Sequence, residues 1–275
     1  MIPVFLPLKS IFFFIFFGLL LFCSPETIRL SAQVTALGKP GLIMTPNTDW
    51  MENRQLGLGF SFIPRTYKIS GFMNNYYDDE HIYAVRVGIT DWMEIYLNVT
   101  RLPDLSDRIG IGDRHMDFRF RLLKEEKYGF SAVLILSPPG SINQFLNHDS
   151  LVLGKKISLG NDGILSLSGG YGFPYILKGA FLSGFDGLKF NFVSKEENNM
   201  LYLNGFFGGL SWSWKELFGV QAEYDSRTFN AGIFVKPKPW ILLQGHTFEG
   251  KDWGATVSLH FPLDGSPKEL RSHEE

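Results

Sequence analysis

Seven charged residues are spaced so that they could do chemistry together: Arg86, Glu94, Asp117, Arg119, Arg121, Glu223 and Asp225. Each occupies an alternate position in a stretch whose intervening positions are apolar, so an extended chain sends all of them to one side. Carboxylates and guanidinium groups facing a common interior could grip an acidic or hydroxyl-rich chain through bidentate hydrogen bonds. A plainer reading has them pair with one another and fill a modest barrel, since a buried charge needs a partner. With both signs mixed, the set does not describe a strongly ion-selective pore.

Other chemistry has thin support. Of the six histidines, only His148 stands close to a nucleophile, in Asn147-His148-Asp149-Ser150, and proximity in sequence is not a catalytic geometry. There is no His-Glu-x-x-His, no pair of cysteines, no phosphate-cradling loop leading into a helix and no acidic calcium loop, so neither a metal nor a cofactor is expected. The formal charge of −2, from 26 basic and 28 acidic residues, gives no reason to expect a nucleic-acid partner. Histidines aside, 26 Phe, 29 Gly and 15% aromatic residues favour strands and tight turns over helices.

The elements that must position these charges begin after a leader. Lys9 precedes the apolar run Ile11 to Phe22, which as a helix spans about 18 Å, short of a bilayer core of roughly 30 Å. Residues 1–32 therefore read as a signal peptide cleaved after Ala32, with Ala36 as the alternative. The lone Cys23 follows Phe22 where a lipoprotein signal wants a small residue, so it reads as part of the discarded leader.

Residues 33–261 read as an all-β, antiparallel transmembrane β-barrel of about 12–14 strands. From about Gly41 to Phe261 the chain repeats segments of about ten residues, alternating apolar and polar and ended by Gly, Asn, Asp or Pro. Tyr83, Val85, Val87 and Ile89 alternate with Ala84, Arg86 and Gly88. After Thr90-Asp91 the return strand sets Ile95, Leu97 and Val99 against Glu94, Tyr96, Asn98 and Thr100. Met116, Phe118, Phe120 and Leu122 oppose Asp117, Arg119 and Arg121; Val220, Ala222 and Tyr224 oppose Gln221, Glu223 and Asp225; Phe229, Ala231, Ile233 and Val235 oppose Asn230 and Gly232. Short links alternate with long ones, as on the two rims of a bacterial barrel. Two stretches leave the parity open: Gly41 to Asn47, which a full strand could occupy, and Phe181 to Asn199, a hairpin or one large loop. Most of the six tryptophans fall at strand ends, where an interfacial girdle would place them.

The final strand, Trp253 to Phe261, carries Asp252, Gly254, Val257 and Leu259 in the spacing of a C-terminal signal read by the barrel-assembly machinery. So hydrophobic an edge strand would invite aggregation unless closure removed the edge. Residues 262–275 are polar and read as a disordered tail.

Several stretches resemble the YjbH-like family of outer-membrane proteins: Gly41-Leu42-Ile43-Met44-Thr45-Pro46 its Gly-Leu-x-x-Thr-Pro element, Trp92 and Glu94 its Trp-x-Glu hairpin, and Asp117 to Glu125 its charged strand. Gly205 to Gly209, Ala222 to Asp225 and Asn230 to Ile233 are similar to its C-terminal strands. The resemblance runs over most of the mature chain and departs from the family in length, since larger members hold two barrels, and at Thr90-Asp91, where proline is frequent. It implies a non-catalytic role in exopolysaccharide or capsule production or export, with outer-membrane lipid as surroundings and polysaccharide and export-system components as partners. The alternatives are an outer-membrane enzyme acting on lipid or glycan, and a general surface barrel such as an adhesin or narrow channel.

Overall fold

The computed structural model describes residues 33–51, 55–69, 79–101, 103, 114–138, 148–160, 162–181, 188–197 and 202–263. The expected leader, with Cys23, and the expected tail lie outside them, apart from residues 262 and 263.

The described strands are β1 (Gln55–Ile63), β2 (Glu80–Thr90), β3 (Met93–Arg101), β4 (Arg114–Leu123), β5 (Ser131–Leu136), β6 (Ser150–Leu159) and β7 (Gly163–Gly172). They continue with β8 (Tyr175–Phe181), β9 (Leu188–Ser194), β10 (Gly205–Trp214), β11 (Phe218–Tyr224), β12 (Phe229–Lys238), β13 (Ile241–Phe248) and β14 (Asp252–Pro262). Twelve close into one antiparallel barrel, with β7 pairing directly to β10, while β8 and β9 form a separate two-stranded hairpin. The stretch from Phe181 to Asn199 is thus partly hairpin, set outside the wall. Closure is made by β1 on β14, in a register that pairs Gln55 with Pro262 and Phe62 with Ala255. The edge that would have exposed Val257 and Leu259 is thereby satisfied.

Alternation works as the period of two requires. Along β3 the inward Glu94, Tyr96, Asn98 and Thr100 are all buried, whereas the outward Leu97 is 46% exposed. The outer surface presents Leu58 and Phe60 of β1, Tyr83 and Ile89 of β2, Leu151 and Leu153 of β6, Leu210 of β10, Val220 of β11, Ile233 of β12 and Trp253 of β14. A continuous apolar belt of this kind fits hydrocarbon rather than water. No described helix is long and apolar enough to cross a membrane, and the strands do that instead.

Short links at 91–92, 124–130, 160–162, 215–217 and 239–240 share one rim with the start of β1 and the end of β14. Longer excursions between β1 and β2, β3 and β4, β5 and β6, and β7 and β10 share the other with two tight links, 225–228 and 249–251. The short-turn rim is the periplasmic one in bacterial barrels. An even strand number with both ends on that rim settles the parity.

One expectation changes. The wall begins at Gln55, and the chain around Gly41 to Asn47 is not a wall strand. Residues 33–47 lie buried inside the barrel as a compact double turn. Isolated bridges join Val34 to Pro40 and Gly41 to Pro46. Thr35 N–H donates to the Lys39 carbonyl at 2.7 Å, Ala36 N–H to that of Ile43 at 2.7 Å, Leu42 N–H to that of Thr45 at 2.9 Å and Asn47 N–H to that of Pro40 at 3.0 Å. Pro40 and Pro46 lack the donor that a central strand needs, and Gly38 takes φ +78, so this stretch turns rather than extends.

An apolar core shares the lumen with the inward charges. Ala36, Leu37, Ile43 and Met44 of the inserted segment pack with inward Ile63, Ile82, Val133, Ile135, Val152, Phe207 and Phe248. Gly41 fits its turn because a Cβ there would overlap Thr35 and the Thr45 carbonyl. Gly41→Val is therefore expected to unseat the segment at a cost of about 1–3 kcal/mol while leaving the wall closed. Protease clipping within residues 33–51, measured beside unchanged heat-modifiable gel migration, checks this.

Candidate functional site, the filled lumen

The tip of the inserted segment is held by one wall carboxylate. Glu223 of β11 accepts from Ile43 N–H at 2.9 Å, Met44 N–H at 2.7 Å, Thr45 N–H at 3.0 Å and the Thr45 hydroxyl at 2.8 Å. Its other partner is the Asn230 amide, at 3.0 Å. Three successive N–H groups can point at one anion because the turn bends them to a common side, forming a backbone nest. Gln244 donates to the Leu42 carbonyl at 3.1 Å, and the Tyr202 hydroxyl, from the link after β9, donates to the Met44 carbonyl.

The base is held by a guanidinium. Arg119 donates to the carbonyls of Asn47 and Asp49, the latter at 2.7 Å, and to Glu94 at 2.9 Å. Glu94 also accepts Met51 N–H at 2.6 Å and the Tyr96 hydroxyl. Between tip and base, Lys39 forms an ion pair with Asp117, which also takes His115 and Ser137 at 2.7 Å each. Arg86 reaches the Met51 sulfur at 3.1 Å and His260 at 2.9 Å. Arg121 stacks over Trp50, 4.4 Å from the ring centroid, at the short-turn mouth.

All seven charges singled out by sequence lie on the inner side or at its rims, but they are not one ring. Among them only Glu94 and Arg119 pair directly. Asp225 instead closes the tight link between β11 and β12, accepting from the N–H groups of Arg227 at 2.9 Å and Thr228 at 2.7 Å. The other six all contact the inserted segment: Arg86, Glu94, Asp117, Arg119 and Glu223 through polar contacts, and Arg121 through the Trp50 ring. Sequence reasoning missed the other side of these contacts: Lys39, Asn47, Asp49, Met51 and Tyr202. It also passed over Asn230, Gln244, His115 and His260, although their inward positions in the alternation could have flagged them. Trp50, grouped with the interfacial girdle by its sequence position, belongs to the plug base; Trp92, 55% exposed, and Trp253, 72% exposed, fit the girdle.

His148 and Ser150 do not form a hydrogen-bonded pair. The imidazole is buried edge-on against Tyr202, with centroids 4.4 Å apart, and neither of its nitrogens nor the Ser150 hydroxyl makes a hydrogen bond to protein. Burial, reinforced by Lys195 and Lys39, pushes the His148 imidazole well below its ordinary value. Burial likewise brings the Lys195 ammonium down to about 8, against the pull of Asp149. A histidine depressed in the folded state takes up a proton on unfolding, so its contribution is full above about pH 6.5 and fades as pH falls below that. Protection from hydrogen exchange around residues 148–150 and 202–203, taken relative to the intrinsic exchange rate at each pH, is expected to fall from pH 7 to pH 5, and His148→Phe to flatten that dependence.

Closure, the lipid-facing belt and the rim asymmetry make the chain an outer-membrane β-barrel, with twelve wall strands and a lumen filled by its own N-proximal segment. No protein-family model matches it, and no curated protein does. Among solved structures it is similar to the COG4313 outer membrane channel from Pseudomonas putida F1, at 9% identity and TM-score 0.34, over 80% of this chain and 99% of that one. It is also similar to the N-terminal β-barrel domain of Pseudomonas aeruginosa OprF, at 13% identity and TM-score 0.19, over 76% and 98%. The assignment rests on the barrel's own closure and surface.

Proposed function

We propose that the protein is a non-catalytic component of exopolysaccharide or capsule handling in the outer membrane, a small YjbH-like barrel whose lumen is closed at rest by residues 33–51. One observation carries this reading: the stretches that resemble the family meet in space. Gly41–Pro46 is the plug tip; Glu223, from a second resembling stretch, holds it, and Asn230, from a third, donates to Glu223. Leu42 lies against Gly209 of another, and Glu94 and Arg119, from the remaining two, secure the base. A shared plug and receptor explains why those elements go together. Inward Asn98, Gln221, Gln244, Ser258 and His246 add neutral hydrogen-bonding groups suited to hydroxyl-rich chains.

The test is to express the full chain and the chain lacking residues 33–46 in cells that make the polymer, and to measure polymer at the surface against total polymer. A changed ratio at equal barrel abundance is the expected result; an unchanged ratio sinks the reading. The enzyme alternative rests on His148 and Ser150, and under the proposal replacing both by alanine leaves lipid and glycan chemistry untouched.

Leader removal belongs to the same proposal. Cleavage after Ala36 would discard Gln33 to Ala36, whose backbone binds Gly38, Lys39, Gly41 and Ile43 within the plug. Mass spectrometry of the mature protein is expected to find Gln33 as the first residue; Leu37 as the first residue would contradict it.

A further inference from the structure

The plug has two unlike attachments. Its base is pinned: Arg119 and Glu94 clamp Asn47, Asp49 and Met51, and the chain then runs on toward β1. Its arm, residues 33–46, carries its own hydrogen bonds through two turns and so can move as one body. The wall holds that arm at few points. Lys39 holds one oxygen of Asp117 and His115 and Ser137 hold the other, so the carboxylate gives up its ion pair but keeps two partners if Lys39 departs. Gln244 and Tyr202 contribute one bond each. Glu223 alone satisfies four donors of the tip.

From this asymmetry we infer that the arm is a hinged gate, swinging about Asn47–Met51 out of the barrel, with the Glu223 carboxylate as its latch. The inference deepens the proposed conduit by naming how its lumen opens. Apolar packing of Leu37, Ile43 and Met44 sets the closed state at rest. Both carboxylate oxygens are in use at the tip: one accepts Ile43, Thr45 and the Thr45 hydroxyl, the other Met44 and Asn230. A glutamine keeps the shape but replaces one acceptor with a donor that faces other donors, so Glu223→Gln acts on the latch and spares the core. Tyr202 touches the tip from the link that follows the β8–β9 hairpin, giving the long-loop side a second hold on it.

The experiment is planar-bilayer conductance of the purified full-length mature barrel. Leu42→Cys and Gly209→Cys are combined with Glu223→Gln, since a Cβ at Gly209 would lie 2.5 Å from the Leu42 side chain; it would also lie 2.5 Å from the Ala222 carbonyl, so the reduced cysteine pair with Glu223 intact is recorded as the control and is expected to stay closed. Heat-modifiable migration confirms that each variant has folded. The reduced barrel is expected to conduct at least tenfold more than its oxidised form, and addition of reductant to restore conduction. Equal conductance in the two states, or a reduced variant as closed as the wild type, overturns the hinge. Should Glu223→Gln fail to assemble, Glu223→Ala in the same cysteine pair takes its place, since it removes the same four acceptor contacts, with the same two results deciding. Ion flow requires no polymer, so a gate that opens without altering surface polysaccharide defeats the proposed function and leaves this inference standing.

Discussion

Replacing Arg119 with alanine is expected to destabilise the folded barrel by about 3–5 kcal/mol, the range for breaking a buried ion pair by removing one member. Arg119 is 0% exposed and serves three acceptors at once. Its loss leaves Glu94 charged in the lumen with only the Met51 N–H and the Tyr96 hydroxyl, and leaves the Asn47 and Asp49 carbonyls without their wall donor. Urea titration of the detergent-solubilised protein, followed by the gel shift between folded and unfolded forms, measures the change. Removing both charges as Glu94→Gln with Arg119→Met is expected to cost less than Arg119→Ala alone, because no unpaired charge remains. A single substitution with no measurable cost would mean the base is not anchored there.

Phe207→Ala should cost a similar amount, about 3–5 kcal/mol for a buried phenylalanine whose cavity refills poorly. The ring is 5% exposed and lies over Gly170, where a Cβ would overlap it, so on that side there is no side chain to close the gap. It also packs in the cluster that holds Ile43 and Met44, so the loss should loosen the plug as well as the wall. Phe206, its neighbour, points outward at 78% exposure, and its alanine variant serves as the control. In the urea titration the two variants should part by at least 2 kcal/mol, a difference of the order of a buried aromatic side chain. Equal midpoints would refute the inward core.

Much of the wall could be read from the residues because alternation reports directly on which side each one faces. The segments around Tyr83, Ile95, Met116, Val220 and Phe229 became β2, β3, β4, β11 and β12 with their charges inward, as expected. The plug was hidden by its composition, since Leu42, Ile43 and Met44 look like a strand and only the flanking Pro40-Gly41 and Thr45-Pro46 argue for turns. The inner core left a fainter mark. In Ala132 to Leu136 and in Leu151 to Leu153 alternation lapses into unbroken apolar runs, which is how strands look when one face meets lipid and the other an apolar core. Lys39 and Tyr202 carried no local signal, because their roles depend on contacts with residues far along the chain. The alternation put the charges on the inner side or its rims, yet their partner, a segment of the same chain, could not be read from spacing alone.

A barrel closed by its own N-proximal segment is tested most directly by single-channel recording of the purified mature protein beside a form lacking residues 33–46. The account predicts no steady conductance from the complete chain and a steady ion conductance from the shortened one, with both showing the gel shift of a folded barrel. Equal conductance from the two would contradict it.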